Sequence, residues 1–270
     1  MIREVITYLS TPCLPYAKKM GYLYETIAMR ERYRRNKASW QPHLENTRRF
    51  ILSAAENSAK NNRITILGSG LLLDVPLKEL SGLFKEIILA DIIHLPETRK
   101  TAKKFKNVRP IEFDASGISE RIFMNISEGA MELPESEPHL PENEADLVVS
   151  LNLLSQLPVV PHAYALKKIA HLDKNGATED EIIDWCRRII ESHVSWLKSL
   201  PCPICLISDH EFLLKDKNGI IREKGSTLYG VSLPEPDESW TWSIAPIGEE
   251  RKGLSKELHV GAWIITKSST

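Results

Sequence analysis

The sequence lacks an excess of charge of either sign. Its 270 residues include 35 lysines and arginines against 36 aspartates and glutamates, a formal net charge of −1. Proteins dedicated to nucleic-acid binding usually carry a basic surplus that neutralises phosphates. The balance therefore argues against nucleic acid as the main partner, although it leaves an RNA substrate open.

Long apolar runs and abundant cysteines are missing as well. No stretch approaches the roughly 18 apolar residues of a membrane span, and MIREVITYLSTPCLP lacks the apolar segment of a signal peptide. Four cysteines in a chain of this size are typical of reduced intracellular thiols. Cys202 and Cys205 have no second pair at a suitable spacing to complete a zinc site. We expect a cytoplasmic protein without a membrane segment and without a metal.

The pattern of apolar residues changes near residue 62. Before it, the sequence predicts helices over 21–37 and from the interruption at Trp40-Gln41-Pro42 to about Lys60. After Arg63, apolar runs alternate with helical segments, which is typical of βαβ units and a parallel sheet. The predicted strands are 64–67, 86–91, 108–114, a fourth from about Asp146, and 203–209. The predicted helices begin after Asp74, at Pro96, at residue 118 and, with a capping box, at Thr178; residues 131–144 are predicted to form a solvated loop.

The C-terminal part of the chain, after the fifth predicted strand, contains strands with no helix between them. Asn218-Gly219 is typical of a hairpin turn, residues 240–248 alternate with period two, and residues 257–267 are apolar on both faces, as in a central strand. The sequence therefore predicts an α/β fold. It is a doubly wound, mostly parallel seven-stranded sheet with an antiparallel C-terminal hairpin, preceded by an N-terminal helical segment.

The segment ITILGSGLLLDVP, residues 64–76, carries the clearest functional pattern. A β-branched run ends on Gly68 and Gly70, and the next predicted strand ends on Asp91. A strand, a Gly-x-Gly turn, a helix and an acid about 20 positions further on are typical of a nucleoside-binding unit, in which the acid binds the ribose hydroxyls. The alternative is a tight turn followed by an aspartate that caps the next helix.

What this segment lacks indicates which nucleoside it binds. Dinucleotide-binding loops carry a third glycine that brings the pyrophosphate to the helix N-terminus, and here Leu73 takes that position. Asp74 is predicted to be the N-cap of the following helix, where its carboxylate would repel a pyrophosphate. It would tolerate a ligand with an ammonium and a sulfonium and no phosphate, and S-adenosylmethionine is such a ligand.

From Arg63 onward the chain resembles the Rossmann-like S-adenosylmethionine-dependent methyltransferases. ITILGSG is similar to their first motif, ILAD to the strand that ends on the ribose-binding acid, and FDAS to the turn at the adenine edge. DLVVSLNLLSQLP resembles the fourth strand and the loop beneath the methyl donor, and the C-terminal hairpin resembles the family's antiparallel seventh strand. The resemblance implies a Rossmann-like domain over 63–270, a helical cap over 1–62, and S-adenosylmethionine as the cofactor.

The resemblance also implies the residues that bind the cofactor. Two departures stand beside it: Ile66 takes the place of an acid that the family often has, and the third glycine is missing. Contact with the cofactor's amino group is therefore expected from the backbone or from Asp74. The expected cofactor-binding residues are Gly68, Ser69, Gly70, Asp74, Asp91, Ile92, Asp114, Ala115, Asn152, Leu153 and Ser155.

A general base assists methyl transfer when the acceptor is a hydroxyl or a protonated amine. His210 is the first candidate, because it follows the fifth predicted strand at the ligand-binding edge of the sheet and has Asp209 beside it. His162, after the fourth-strand loop, and His94, after the ribose-binding acid, are the other candidates. For each of the three histidines the alternative is an ordinary, partly exposed side chain.

The residues before the first strand are expected to cover the acceptor pocket. Five of the seven tyrosines lie at or before Tyr33, and they either line that pocket or pack the added helices onto the sheet. The basic segment 29–37 meets an anionic partner or is a solvated helix face with internal ion pairs. Trp240 and Trp242 fall on one strand face, in the core or in a pocket wall.

Methyl transfer to an oxygen or nitrogen atom of a small molecule is the leading hypothesis. The loop SLNLLSQLP, which begins at Ser150, differs from the Asn/Asp-Pro-Pro-aromatic loop that grips an exocyclic amino group of a nucleobase. The alternatives are methylation of RNA or protein, a non-catalytic relative that serves in binding or interaction, and a nicotinamide-dependent oxidoreductase. The sequence does not indicate the acceptor or the oligomeric state.

Overall fold

The computed structural model describes residues 2–127, 133–142, 144–169 and 178–266. The C-terminal end of the predicted helix 118–130, positions 131, 132 and 143 of the predicted loop, and Lys267 lie outside these residues. In the described part, no helix is both long enough and apolar enough to cross a membrane. Nor do the described residues place three or more His, Cys, Asp or Glu side chains where they could hold a metal ion together.

The sheet has the architecture that the sequence predicts. Its path is β3-β2-β1-β4-β5-β8-β7, and the neighbours among β1 to β5 are parallel. β8 is inserted between β5 and β7 and is antiparallel to both. β6 is an eighth strand that pairs with β5 across the predicted hairpin. The strands are β1 (Arg63–Leu67), β2 (Glu86–Asp91), β3 (Val108–Glu112), β4 (Leu147–Leu151), β5 (Ile204–Asp216), β6 (Ile221–Ser226), β7 (Glu238–Ala245) and β8 (Leu254–Ile265).

Nine α-helices surround this sheet within the described residues. Four precede it, and the other five follow strands β1 to β4. They are α1 (Ile2–Ser10), α2 (Pro15–Met20), α3 (Tyr22–Arg35), α4 (Lys37–Glu56), α5 (Leu77–Leu83), α6 (Pro96–Ala102), α7 (Ser119–Ser127), α8 (Val159–Ile169) and α9 (Glu179–Ser199). The capping box predicted at Thr178 is confirmed, with Glu181 as its reciprocal partner. Helix α8 was not predicted.

The predicted interruption at Trp40-Gln41-Pro42 is wrong, because α4 runs through it without a break. Pro42 lies near the start of the helix, where the loss of one backbone hydrogen bond is small beside the packing of the helix. Trp40 is 2% exposed, and its indole N–H donates to the Ile244 carbonyl at 2.9 Å. Tertiary contacts with β7 therefore override the local signal.

The core lies on both faces of the sheet, and the N-terminal helices belong to it. On β1, Ile64 and Ile66 pack on one face with Trp40 and Phe50 of α4. Leu67 packs on the other face in a cluster that also contains residues of α2 and α3. This division follows the alternation of side chains along a strand. The helices over 1–62 therefore share the hydrophobic core of the strands that follow.

Two further predictions about local structure need correction. Asp74 is not the N-cap of α5: the helix begins at Leu77, and Pro76 takes the N-cap position without a side-chain hydrogen bond. The loop after α7 is tied down rather than fully solvated. The Pro134 carbonyl accepts from the buried indole of Trp185 at 2.8 Å, and Ser136 donates to the Ser116 carbonyl at 2.7 Å.

Candidate functional site

A cavity of about 310 Å³ opens at the carboxyl ends of β1, β2 and β4. Open α/β sheets bind their ligands at this edge, where the strand order reverses, because β1 has a neighbour on each side and the loops diverge. All the residues predicted to bind a cofactor line this cavity except Ser155. Those that line it are Gly68, Ser69, Gly70, Asp74, Asp91, Ile92, Asp114, Ala115, Asn152 and Leu153.

The glycine turn after β1 is shaped by backbone geometry that other residues would strain. Gly68 has φ +79°, and a Cβ atom there would lie 2.7 Å from the Leu151 carbonyl oxygen of the neighbouring strand. Gly70 has φ +46°, and its N–H donates to Asp91 Oδ2 at 2.8 Å. The two glycines therefore bring the turn close to β4 and join it to the acid at the end of β2.

Asp91 lies at the floor of the cavity with part of its acceptor capacity already used. Its Oδ1 accepts from the Ile93 N–H at 3.2 Å, and its Oδ2 from Gly70. Burial raises the pKa of Asp91, and the nearby His94 opposes that shift. A carboxylate has about four acceptor sites, so Asp91 can still accept hydrogen bonds from the two hydroxyls of a ribose.

His94 does not reach the cavity. It is fully buried, and its Nε2 lies 3.1 Å from the Leu89 carbonyl and 3.0 Å from the Ile111 carbonyl. Both oxygens are acceptors, so Nε2 carries a hydrogen that it shares between β2 and β3. The structure gives this histidine a role in joining two strands.

Asp114 organises the turn after β3. Its Oδ1 accepts from the Ser116 N–H at 2.9 Å and its Oδ2 from the Ser119 N–H at 2.8 Å, at the start of α7. The Ser119 hydroxyl pairs with the hydroxyl of Tyr22 on α3 at 2.7 Å. Phe113 and Ala115, on either side of Asp114, line the cavity with apolar surface that suits a flat ring.

Asp74 has a different role from the predicted one and still faces the cavity. Its Oδ2 lies 2.8 Å from the side-chain nitrogen of Asn152, a residue after β4 with φ +47°. Burial raises the pKa of Asp74, and the contact with Asn152 and the charge of Arg48 oppose the shift. Asp74 and Asn152 therefore present a paired acid and amide at the end of the cavity opposite Asp114.

His43 of α4 lies next to this pair, and the sequence analysis did not identify it as a residue of the site. The indole N–H of Trp240 donates to His43 Nδ1 at 3.0 Å, and the imidazole ring of His43 stacks on Trp242 with 4.0 Å between the ring centroids. Burial lowers the pKa of His43 to about 3, so the ring is neutral. Because Nδ1 accepts, the single ring proton is on Nε2. No local motif marks His43, because its partners Asn152 and Trp240 lie on distant parts of the chain.

The amide of Asn152 connects His43 to Asp74. His43 Nε2 and Asn152 Nδ2 are 3.3 Å apart, and both carry hydrogen, while Asn152 Oδ1 is buried without a partner. The amide nitrogen donates to Asp74 Oδ2 at 2.8 Å, so Asn152 links the carboxyl group of Asp74 to the imidazole of His43.

The cavity is lined by carboxyl groups and by no positively charged side chain. Five acidic residues line it, and no lysine or arginine does so among the residues that the structure describes. Three of these acids, Asp74, Asp91 and Asp209, have pKa values raised by burial. Such a site favours a positively charged ligand and disfavours a phosphate. The five acids are Glu25, Asp74, Asp91, Asp114 and Asp209.

The structure separates the predicted pair Asp209 and His210. The strand β5 continues to Asp216 instead of ending at Asp209, and an irregularity in its pairing with β8 falls between Asp209 and Glu211. Asp209 lines the cavity, is 3% exposed, and accepts from the Ser155 hydroxyl at 2.7 Å. His210 lies outside the cavity lining, and its ring centroid is 6.5 Å from those of His259 and Trp263.

His162 and Ser155 also lie outside the cavity lining. His162 is on α8 with its ring edge-on to Tyr229 at 6.1 Å, and burial lowers its pKa. Ser155 acts on the cavity through Asp209, whose orientation it holds. Among the predicted candidates for a base, Asp209 is therefore the one that a ligand in this cavity could touch.

The N-terminal helices form one side of the cavity. Tyr22, Thr26 and Met29 of α3 line it, as do His43 and Leu44 of α4. Of the tyrosines up to Tyr33, Tyr22 is the one in the described lining, and burial raises its pKa. Next to α4, the sheet contributes the apolar side chains Trp242, Ile244 and Leu258, and Trp242 stacks on His43.

Three of the five basic side chains in the segment 29–37 form ion pairs within the protein. Arg30 is 5% exposed and contacts Glu97 at 3.0 Å. Arg34 pairs with Glu31 at 2.7 Å, and Arg35 pairs with Glu249 at 2.5 Å. Most of its charge is therefore compensated within the protein, as in a helix face with internal ion pairs.

No family model matches this chain, and no curated protein sequence matches it either. Among solved structures, it is similar to 1,6-didemethyltoxoflavin-N1-methyltransferase of Burkholderia thailandensis bound to 1,6-didemethyltoxoflavin and S-adenosylhomocysteine, with 10% identity over 94% of this chain and 92% of that one, and a TM-score of 0.40. A SAM-dependent methyltransferase of Leishmania major has 13% identity over 96% and 81%, and a TM-score of 0.32. DhpI in complex with SAH has 11% identity over 87% and 93%, and a TM-score of 0.36. Likeness at this distance does not assign an activity.

Proposed function

We propose that this chain is an S-adenosylmethionine-dependent methyltransferase that transfers a methyl group to an oxygen or nitrogen atom of a small molecule. The observation that carries the proposal is the cavity lining: a nucleoside-type glycine turn and acid, with five carboxyl residues and no lysine or arginine in the described lining. S-adenosylmethionine carries a nucleoside, a sulfonium and an ammonium, and it has no phosphate.

The same lining argues against a dinucleotide. A pyrophosphate would require backbone N–H donors at a helix N-terminus or cationic side chains. Here α5 begins only at Leu77, and Asp74 and Leu73 line the cavity in the intervening loop. Two negative phosphates next to a carboxyl group would raise their mutual energy, whereas an ammonium would lower it.

Each end of the cofactor has a group of this chain to hold it. Asp91 would bind the ribose hydroxyls, and Phe113 and Ala115 would pack against the adenine. Asp74 and the Asn152 amide would bind the ammonium and carboxylate of the methionine part. The bound cofactor supplies an activated methyl group on a positively charged sulfur, and the chain aligns the acceptor with it and excludes water.

The elements that line the cavity limit its size, and this favours a small molecule as the acceptor. Helices α3 and α4 line the cavity together with the strands β7 and β8, so an acceptor must fit within a wall formed by all four elements. Ion pairs with acidic side chains of this chain engage three of the four arginines of α3, which leaves little of their charge for RNA. All four cysteines are free thiols, which suits the reducing cytoplasm, where we place the protein.

Calorimetric titration with S-adenosylmethionine, S-adenosylhomocysteine and NAD tests the cofactor. We expect micromolar binding of the two adenosyl ligands and none of NAD. Asp91→Ala should weaken binding of S-adenosylhomocysteine at least tenfold, because two charge-assisted hydrogen bonds of about 1.5–3 kcal/mol each are lost.

Glu112→Gln is the matched control, because Glu112 is the register partner of Asp91 on β3 but pairs with Arg99 outside the cavity. This variant should bind like the wild type. Tighter binding of NAD than of S-adenosylhomocysteine, or an unchanged affinity in Asp91→Ala, would overturn the proposed cofactor.

A further inference from the structure

We propose that the acceptor of this enzyme is an unphosphorylated amine with an apolar body, and that Asp209 receives its amino group. This inference rests on the proposed function and deepens it by naming the substrate class. The inference concerns the part of the cavity that is not lined by the proposed cofactor-binding residues, which we call the acceptor compartment. There, two carboxyl groups stand among apolar side chains.

The apolar part of this compartment is formed by helices and strands that are distant in sequence. Met29 and Leu44 face it from α3 and α4, and Trp242, Ile244 and Leu258 face it from β7 and β8. Trp242 is held by a stack on His43 and by an edge contact with Trp40 at 4.9 Å. A compartment walled in this way binds an aromatic or aliphatic body through apolar burial.

The polar groups of the same compartment are acidic. Asp209 of β5 lines the cavity, is 3% exposed, and accepts from the Ser155 hydroxyl at Oδ1 over 2.7 Å. Glu25 is exposed on α3 at the rim. The one histidine in the described lining, His43, is neutral, because its Nδ1 accepts from Trp240. No cationic side chain lies in that lining, and the charge of Lys256 on β8, outside it, opposes the pKa shift of Asp209 less strongly than burial raises it.

A buried carboxylate without a cationic partner is costly, and a ligand ammonium removes that cost. A carboxylate or phosphate on the acceptor would instead add a like charge in a compartment of low dielectric constant. An alcohol could donate a hydrogen bond to Asp209 but would bring no charge. We therefore expect this compartment to bind an amine most tightly, the matching alcohol less tightly and the matching carboxylate least tightly.

The reaction balances with Asp209 as the proton acceptor. The ammonium of the acceptor gives one proton to the Asp209 carboxylate, which leaves a neutral amine with a free electron pair. That pair forms the new nitrogen–carbon bond as the carbon–sulfur bond breaks and its electrons pass to sulfur. The methylated product carries the positive charge that the sulfonium has lost. Because burial raises the pKa of Asp209, this carboxylate is a stronger base than an exposed aspartate.

Two series of probes test the proposal. Within each series the skeleton is constant and the end group is an amine, an alcohol or a carboxylate. Tryptamine, tryptophol and indole-3-propionate, and the phenyl series phenethylamine, 2-phenylethanol and 3-phenylpropionate, are titrated into the protein saturated with S-adenosylhomocysteine. We expect at least one amine to bind ten times more tightly than its alcohol, and no carboxylate to bind. Incubation of that amine with S-adenosylmethionine should release S-adenosylhomocysteine.

Asp209→Asn should reduce the preference for amine over alcohol at least tenfold while S-adenosylhomocysteine binds as in the wild type. Glu211→Gln is the matched control, because Glu211 lies two positions further along β5 and pairs with His259 outside the cavity. Glu25→Gln, at the exposed rim, should reduce the preference two- to fivefold, and it provides the test if Asp209→Asn does not fold.

Three results would overturn the amine assignment while leaving the cofactor intact. The first is a protein that binds S-adenosylhomocysteine but none of the amines. The second is equal or tighter binding of the carboxylates, and the third is an amine preference that survives both Asp209→Asn and Glu25→Gln. Failure to bind S-adenosylhomocysteine at all would instead contradict the proposed function itself.

Discussion

The two ends of the cavity are built in different ways. The end assigned to the cofactor consists of turns that directly follow β1 to β4, and its acids Asp91 and Asp114 accept hydrogen bonds from nearby backbone N–H groups. The end assigned to the acceptor consists of side chains from α3, α4, β5, β7 and β8. Its central contact, His43 on Trp242, joins a helix before the first strand to a strand near the end of the chain.

The proposed function assigns the cofactor to one of these ends and the acceptor to the other. Backbone turns of a parallel sheet place donors and acids at positions that depend mainly on residues close to each other along the chain. The series of contacts Trp240–His43–Asn152–Asp74 connects the two ends.

Gly68→Ala should have the largest effect, and it should be confined to the cofactor end. The substitution forces a positive φ on a residue with a Cβ, at a cost of about 1–3 kcal/mol, and places that Cβ against the Leu151 carbonyl. We expect loss of S-adenosylhomocysteine binding by calorimetry and a lower free energy of unfolding. The control is Gly82→Ala, in α5 with open space around the glycine, and this variant should bind S-adenosylhomocysteine as the wild type does. Normal binding by Gly68→Ala would show that the turn does not shape the site.

His43→Phe tests the junction through the pH dependence of stability. Below its ordinary pKa of 6.5 the unfolded chain protonates His43, while the folded pKa is about 3, so folding loses stability as pH falls through this interval. One such group contributes about 1.4 kcal/mol per pH unit. The free energy of unfolding of His43→Phe, from urea titrations at pH 4.5–6.0, should therefore fall less steeply by that amount.

His193, whose folded pKa is lowered by burial to about 4, should keep its own contribution in both proteins. His139→Gln, at an exposed position, is the control and should leave the slope unchanged. Parallel slopes for the wild type and His43→Phe would mean that His43 is protonated in the folded protein. The tautomer assigned from Trp240 would then be wrong.

Trp240→Phe should have the smallest effect and should sharpen the role of the junction. It removes the N–H that donates to His43 Nδ1, a loss of about 1 kcal/mol in the free energy of unfolding, together with one ring of the half-buried indole. Because His43 then no longer orients the Asn152 amide, affinity for S-adenosylhomocysteine should fall two- to fivefold. Trp196→Phe on α9, outside the cavity, should leave that affinity unchanged. Equal affinities in the two variants would limit the Trp240 contact to packing.

Sequence reasoning succeeded where structure follows from short segments. The five parallel strands, the glycine turn and Asp91 were predicted because apolar runs bounded by turn residues specify strands locally. It failed at Pro42, where packing of Trp40 overrides a helix-breaking residue. It also failed at Asp74, where the predicted cap gives way to a contact with Asn152, 78 positions away.

His210 shows the same limit within a single strand. The sequence predicts His210 just after the fifth strand, whereas β5 continues through it to Asp216. The face that each side chain takes depends on the pairing of β5 with β8, where an irregularity falls beside Asp209. Alternation along a strand shifts by one side at such a point. The acid therefore lines the cavity and the histidine does not.

The sequence by itself determined the parallel sheet, its antiparallel ending and the turns at the cofactor end, because these depend on periodicity and on residues close to each other along the chain. Only the tertiary structure decided the composition of the acceptor end and the placement of His43, Asp74 and Asp209. Their neighbours come from helices and strands on distant parts of the chain. Burial among those neighbours, which no local pattern encodes, sets the charge and hydrogen bonding of each group.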